Sequence, residues 1–373
     1  MPGGMEIFTR AANTVAFFIF IGIGVCCGII IAGKNTFIRH IKTMTEEFDY
    51  NYVIAGRPGY YQTGYKDIMD LPQVSWHSSH YSGFKTFWEK QAVLWNFAKI
   101  PNRIIKVPFA GYVFPRLYPH NFPNGKPLCF LFFGNTHKVY RSSYTDYLRK
   151  TYPGVRLVLF LQDLISRHYS FDLDEARSKF DLIISYDRGE AQREGLLFHP
   201  TPMSKVEIND NPEIPSSDVY FCGHAKSRYH QVHEVFQLCT KAGLKCDFNI
   251  LGMPVHAGRL NGIRYLSKPI SYTENLERMY KSRCILEIMQ DGADGHTPRL
   301  WESIIYDKHL ITNNSAIKDS PFFHSDGNHL LSSLTPEGIK AWIAQPVRYP
   351  EELKDSLSPR HLLHFIDQQL SRR

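Results

Sequence analysis

No two of the seven cysteines (Cys26, Cys27, Cys129, Cys222, Cys239, Cys246 and Cys284) stand in a C-x-x-C spacing, so neither a zinc ribbon nor a dithiol redox centre is encoded. An odd number spread over 373 residues argues instead for free, mostly buried thiols and a reducing compartment. There is no block of lysine and arginine and no RNA-binding motif, which sets nucleic acid aside as a partner. The net charge of +7 is modest and favours anionic ligands or an anionic membrane surface without choosing between them. Nothing in the composition suggests disorder: 43% of residues are hydrophobic, 14% are aromatic, and the length suits two domains with separate cores.

Only one long uncharged apolar run exists, "TVAFFIFIGIGVCCGIIIAG" at 14–33. Its length matches a helix crossing a hydrocarbon core of about 30 Å, and a single-pass anchor at 1–33 is the expectation. A buried strand-turn-helix is the alternative, because Gly22, Gly24 and Gly28 approach a dinucleotide fingerprint but are spaced one residue too far. A cleaved signal peptide fits less well, for want of a small-x-small cleavage site. Arg10, offset by Glu6, precedes the run, whereas Lys34, Arg39 and Lys42 follow it, which places the remaining chain on the cytosolic side of the membrane.

Beyond an aromatic-rich stretch up to 125, apolar runs alternate with helix-like segments. One strand is expected within that stretch, at 50–56, and further ones at 127–134, 155–163 and 180–187, then at 218–223, 246–252, 263–268, 284–290 and 309–314, with helices between them. Near-continuous apolar strands separated by helices indicate parallel sheets covered on both faces. The polar stretch "VEINDNPEIPSSD" interrupts the rhythm and marks a linker at 206–217. The fold class is therefore α/β with two Rossmann-like domains, 34–205 and 218–350, followed by a terminal helical segment, 351–373.

In such sheets ligands bind beyond the carboxyl ends of the strands, where helix N-termini attract phosphate. "DGADGHTPRLWESIIYDKHLITNN" (291–314) lies at one such end. Thr297 suits an N-cap and Pro298 a first helical position, Gly292 and Gly295 allow close backbone approach, and Arg299 and Glu302 share a helical face. A capped surface helix with an ordinary Arg–Glu pair would look the same. "YFCGHAKSRYH" offers a second phosphate candidate, in which Gly223 ends a strand and Lys226 and Arg228 follow; solvated surface charges are its plainer explanation.

Asp294, seven residues and then Glu302, leading into an apolar helix and "KHLITNN", resembles the nucleotide-sugar segment of glycosyltransferases of the GT-B fold. The "GHAKSR" loop resembles the glycine and basic pair that those enzymes set against the donor diphosphate. Bacterial enzymes of lipopolysaccharide and capsular glycan synthesis are the most similar group, although their pattern begins with Glu where this chain has Asp294. The resemblance implies a nucleotide-sugar donor as co-substrate with no cofactor, and a glycan or lipid-linked acceptor. It also implies ribose on Glu302, phosphates on Lys226 and Arg228, and the transferred sugar on Asp294, with Gly223, Gly295, His296, Thr297 and Arg299 completing the donor site. The last helix, 360–370, would pack back on the first domain.

Asp163, at the end of a strand in the other half, is the expected catalytic base, with His137 and Ser185 behind it. A helix cap or salt-bridge partner is the ordinary role for such an aspartate. Asp172-Leu173-Asp174 spells a D-x-D metal motif but reads as a helix start with acids in its first turn. His224, His230 and His233 lack a zinc spacing, so no metal is expected. A nucleotide-sugar 2-epimerase and a non-catalytic scaffold of a glycan-assembly complex are the alternative functions.

Overall fold

A computed structural model describes residues 17–21, 25–29, 47–97, 109–134, 143–165, 171–224, 226–253, 262–289 and 296–372. Strands β1 (Phe17–Ile21) and β2 (Val25–Ile29) pair antiparallel. The expected membrane helix is thus corrected. The described part of 14–33 is strand, and among the described residues no helix is long and apolar enough to cross a membrane. An apolar run rich in Phe, Ile and Val, with glycines at its middle, carries no periodicity that separates a spanning helix from paired strands.

The first domain runs β3 (Asn51–Ala55), α1 (Tyr60–Gly64), α2 (Lys66–Met69), β4 (Val74–His77), α3 (Phe87–Phe97) and α4 (Ala110–Val113), then β5 (Leu128–Phe133), α5 (Tyr144–Thr151), β6 (Arg156–Leu161), α6 (Leu173–Lys179), β7 (Leu182–Ser185), α7 (Arg188–Glu194) and β8 (Leu197–Phe198). Its six strands pair in parallel in the order β4-β3-β5-β6-β7-β8. Side chains alternate across the sheet. Phe130 and Phe132 therefore enter one core while Cys129, Leu131 and Phe133 enter the other, and both faces of β5 are covered.

The second domain runs β9 (Ser217–His224), α8 (Tyr229–Lys241), β10 (Cys246–Leu251), β11 (Ile263–Leu266), α9 (Tyr272–Tyr280), β12 (Ser282–Glu287), α10 (Pro298–Ile305), β13 (His309–Thr312), β14 (Asn328–Leu330) and α11 (Pro336–Ala344). Its parallel order is β11-β10-β9-β12-β13-β14. Two parallel six-stranded α/β sheets agree with the expected fold class. The short strands β4, β8 and β14 were not foreseen, since two to four residues at or near a sheet edge carry too little apolar pattern.

After α12 (Glu351–Ser356), helix α13 (Pro359–Ser371) returns to the first domain. Leu362, Leu363, Ile366 and Leu370 recur at helical spacing and are buried against the strands of the first sheet. Each contributes roughly 1.5–3 kcal/mol by leaving water. Tyr52 on β3 donates to Asp367 Oδ1 (2.5 Å) and to the Leu363 carbonyl (3.0 Å), which sets the helix in register. Asp172 accepts from Glu175 N at 3.0 Å and caps α6, so the D-x-D letters serve a helix start. Cys129, Cys222, Cys239, Cys246 and Cys284 are free thiols, and Cys129, Cys239 and Cys284 are buried.

Candidate functional site

Strand β9 ends at the carboxyl edge of the second sheet, and Gly223 stands there between two arginines. A Cβ at this position would lie 2.9 Å from Arg299 Nη2 and 3.3 Å from Arg228 Nη2, so a side chain of any size would push the guanidiniums away. Each is aimed by backbone carbonyls: Arg228 Nε donates to His224 O (3.0 Å) and Nη1 to Ile288 O, while Arg299 Nη2 donates to Cys222 O. Arg299 also leans over the Phe221 ring, with 5.6 Å to its centroid. Burial lowers the pKa of Arg228, and the neighbouring Arg299 charge lowers it further, against a smaller opposing pull from Glu287. Two half-buried like charges held side by side are relieved by an anion, and planar guanidiniums match phosphate oxygens. Lys226 belongs to a 3-10 turn leading to Arg228.

Helix α10 starts at the same edge. Thr297 caps it by accepting from Arg299 N (3.2 Å), and Pro298 occupies its first turn. The Thr297 hydroxyl donates to Glu287 Oε1, while Glu287 Oε2 receives the Thr312 hydroxyl at 2.6 Å. Glu287, buried at the end of β12, thereby clamps the start of α10 to β12 and β13. Sequence reasoning missed it, although an acid inside the apolar run "CILEIMQ" was the available signal.

Glu302 is set inward from that edge. It shares α10 with Arg299 but is only 3% exposed, and its Oε1 accepts from Tyr272 OH (3.1 Å) and Asn275 Nδ2 (3.4 Å). Burial pushes its pKa up to about 7, offset in part by Arg299 and these two hydrogen bonds. Tyr60 of the first domain meets Tyr272 edge-on, with 5.1 Å between centroids, so this polar cluster sits where the two domains touch. Gly292, Asp294 and Gly295 lie outside the described residues, as does His137.

A cavity of about 380 Å³ opens between the domains, lined by Tyr186, Asp187, Gln192, His296, Ser320 and Phe322 among others. His296 Nε2 is 2.8 Å from Ser320 Oγ, and its ring meets Trp301 and Phe322 edge-on. Burial lowers its pKa to about 4, against a weaker pull from the Asp187 carboxylate, so it is neutral at pH 7. Asp163 follows the carboxyl end of β6 and is exposed. Its loop is held by Ile165 N donating to buried Glu190 Oε1 (2.7 Å), and Ser185 OH donates to the other carboxylate oxygen (2.9 Å). Ser185 is therefore part of the bracing and does not face the cavity. Among the described residues no group of three or more His, Cys, Asp or Glu is arranged to hold a metal ion.

No protein-family model matches the chain, and no curated protein matches it. Among solved structures it is similar to the glycosyltransferase AviGT4 of avilamycin A biosynthesis, with 10% identity over 66% of this chain and 85% of that one and a TM-score of 0.45. It is also similar to Anabaena HepE in complex with UDP and glucose, with 11% identity over 74% and 84% and a TM-score of 0.44. An alpha-glucosyltransferase in complex with UDP-glucose and DNA shares 15% identity over 65% and 74%, with a TM-score of 0.38. Similarity this distant assigns neither substrate nor residue roles, which have to come from the side chains.

Proposed function

We propose that this protein is a metal-independent glycosyltransferase that moves a hexose from a nucleotide-sugar donor to a glycan or lipid-linked acceptor at the cytosolic membrane face, in glycan assembly of the lipopolysaccharide or capsule type. The observation that carries the reading is the pair of guanidiniums, Arg228 and Arg299, converging over Gly223 beside the N-terminus of α10. A diphosphate has the charge and the oxygen geometry for that place. Lys226, in the adjoining turn, is assigned to the same group by the motif. Asp294 and Gly295 are assigned by the motif to the transferred sugar, whose hydroxyls would also meet the neutral His296 in the cavity. Glu302 would reach a ribose hydroxyl only by exchanging its bond from Tyr272 for one from the ligand. That geometry also suits a second role, holding α10 in place from within.

In the transfer an acceptor hydroxyl oxygen forms a bond to the anomeric carbon while the bond from that carbon to the diphosphate oxygen breaks. The electron pair leaves with the nucleoside diphosphate, whose growing charge the arginines stabilise. Asp163, across the cleft, takes the acceptor proton.

The test is titration of the full chain with UDP-, GDP- and CMP-sugars, repeated on Arg299→Ala. One donor class should bind the parent, and the variant should bind it roughly 10- to 150-fold more weakly, as expected when a charged hydrogen-bond donor is lost. Absence of binding by every donor, or a folded Arg299→Ala that binds like the parent, would remove the diphosphate site. Donor incubated without acceptor separates the alternatives: a 2-epimerase converts the donor sugar, whereas a scaffold leaves it unchanged even when acceptor is present.

A further inference from the structure

Helix α3 presents its apolar side chains on two opposite faces. Val93 and Phe97 point into the core of the first domain. Phe87, Trp88, Leu94 and Trp95 point to solvent, and Phe87, Trp88 and Trp95 are 65%, 78% and 59% exposed. With Gln91, these outward residues fall within about 120° of the helix circumference at ~100° per residue, forming one continuous stripe. On the adjoining helix α4, Phe109, at its start, and Tyr112 are exposed as well. Tyr112 is braced by donating to Glu89 Oε1 (2.7 Å) and by Arg116 stacked 4.0 Å from its ring centroid. Large aromatics are seldom left in water in such a cluster, and a contiguous patch of this kind marks a docking surface.

We propose that this aromatic face docks on the interface of a bilayer containing anionic lipid. Charge and chemistry select that occupant. Lys85, Lys90 and Arg116 are exposed: Lys85 precedes α3, Lys90 lies on it next to the stripe, and Arg116 covers the Tyr112 ring. The one carboxylate on α3, Glu89, is turned toward the helix start, where it accepts from Lys85 N (2.9 Å), Thr86 N (2.8 Å) and Tyr112 OH. Hydrogen bonding holds Glu89 at a pKa of about 2, so it stays engaged as an anion there. Tryptophan and tyrosine rimmed by cations are what a membrane–water interface accommodates, apolar body inward and polar edge to the headgroups. A second copy of the chain is a poorer partner, since a twofold contact through this face would set the same cations against each other. The chain reaches α3 from the carboxyl end of β4, the same edge of the parallel sheet that bears Asp163 after β6. Docking by this face is distinct from any role of residues 14–33, and it would set the exposed Asp163 near the lipid surface whether or not the donor assignment holds.

Trp88 and Trp95 are on this face and the other three tryptophans, Trp76, Trp301 and Trp342, are packed in the cores, so the part of the fluorescence quenching that Trp88→Ser/Trp95→Ser removes reports on this face, and partitioning itself is read by co-sedimentation with vesicles. Vesicles of equal parts phosphatidylcholine and phosphatidylglycerol, with brominated acyl chains, should quench the parent. Trp88→Ser/Trp95→Ser should partition at least roughly tenfold more weakly, because two large apolar surfaces no longer leave water. Lys85→Gln/Lys90→Gln should weaken partitioning less, in a manner that added salt mimics. Both pairs are on the surface, so parent-like melting is expected and checks folding. Three results overturn the proposal: vesicle binding without quenching, unchanged partitioning of the serine pair, or a solution dimer that the serine pair dissociates.

Discussion

The two domains share one architecture, a six-stranded parallel sheet covered on both faces, and they equip its carboxyl edge in opposite ways. The second domain gathers cations: Arg228 and Arg299 converge on a glycine, steered by carbonyls, with the buried Glu287 fixing the helix start behind them. The first domain gathers hydroxyls and carboxylates: Ser185, Asp187 and Glu190 brace one another and the loop that carries Asp163. On the function proposed here, a parallel sheet supplies a place for a ligand, while the side chains at its edge would decide whether the place suits an anion or a proton transfer.

Asp163→Asn tests that division hardest. If the first edge handles the proton and the second the donor, turnover should fall roughly 100- to 10,000-fold while donor affinity is unchanged, measured by product formation alongside titration. A loss of affinity that matches the loss of turnover would erase the contrast.

A smaller effect follows from Glu302. Its folded pKa is raised from the ordinary 4.5 to about 7, so the folded state keeps a proton that the unfolded chain releases. The stability this provides is fully present below about pH 4.5 and is lost as the pH rises through 7, amounting to on the order of 3 kcal/mol. Glu302→Gln should flatten that part of the stability curve between pH 5 and 8 in denaturant titrations. If the variant keeps the parent's slope, the carboxylate is not held as described.

The smallest expected effect is that of Gly223→Ala. The new methyl meets the ends of two guanidiniums and, in ordinary contact at 3.4 Å, Phe221 Cζ, so stability should change by less than about 1 kcal/mol. Donor affinity should still fall about tenfold as Arg299 is displaced. A variant that binds donor like the parent would show that the close approach at Gly223 has no part in the anion site.

The legible part of the fold came from local pattern. The runs that became β5, β6, β7, β9, β10, β12 and β13 are short, apolar and separated by helical spacing, and their boundaries shifted by only a few residues. The cap at Thr297 and the basic turn after Gly223 were visible for the same reason, since capping and turn chemistry act within a few residues. What escaped the sequence depends on distant partners. Glu287 is a clamp only because Thr297 and Thr312 arrive beside it, and Glu302 is buried only because Tyr272, Asn275 and Tyr60 close around it. The run at 14–33 showed the complementary failure, since its length alone suggested a spanning helix where the structure pairs strands.

The sequence by itself determined that the chain alternates strand and helix, that its strands are buried on both faces, and where glycine and arginine stand beside helix starts. These follow from side-chain period and local hydrogen bonding, which act over a few residues. Only the tertiary structure decided that Arg228 and Arg299, separated by most of a domain in sequence, meet over Gly223. It decided likewise that His296 shares a cavity with Asp187 and that α13 seals the first sheet. Such meetings depend on which strands pair and which faces pack, and strand order in a parallel sheet is set by long-range contacts between elements far apart in the chain.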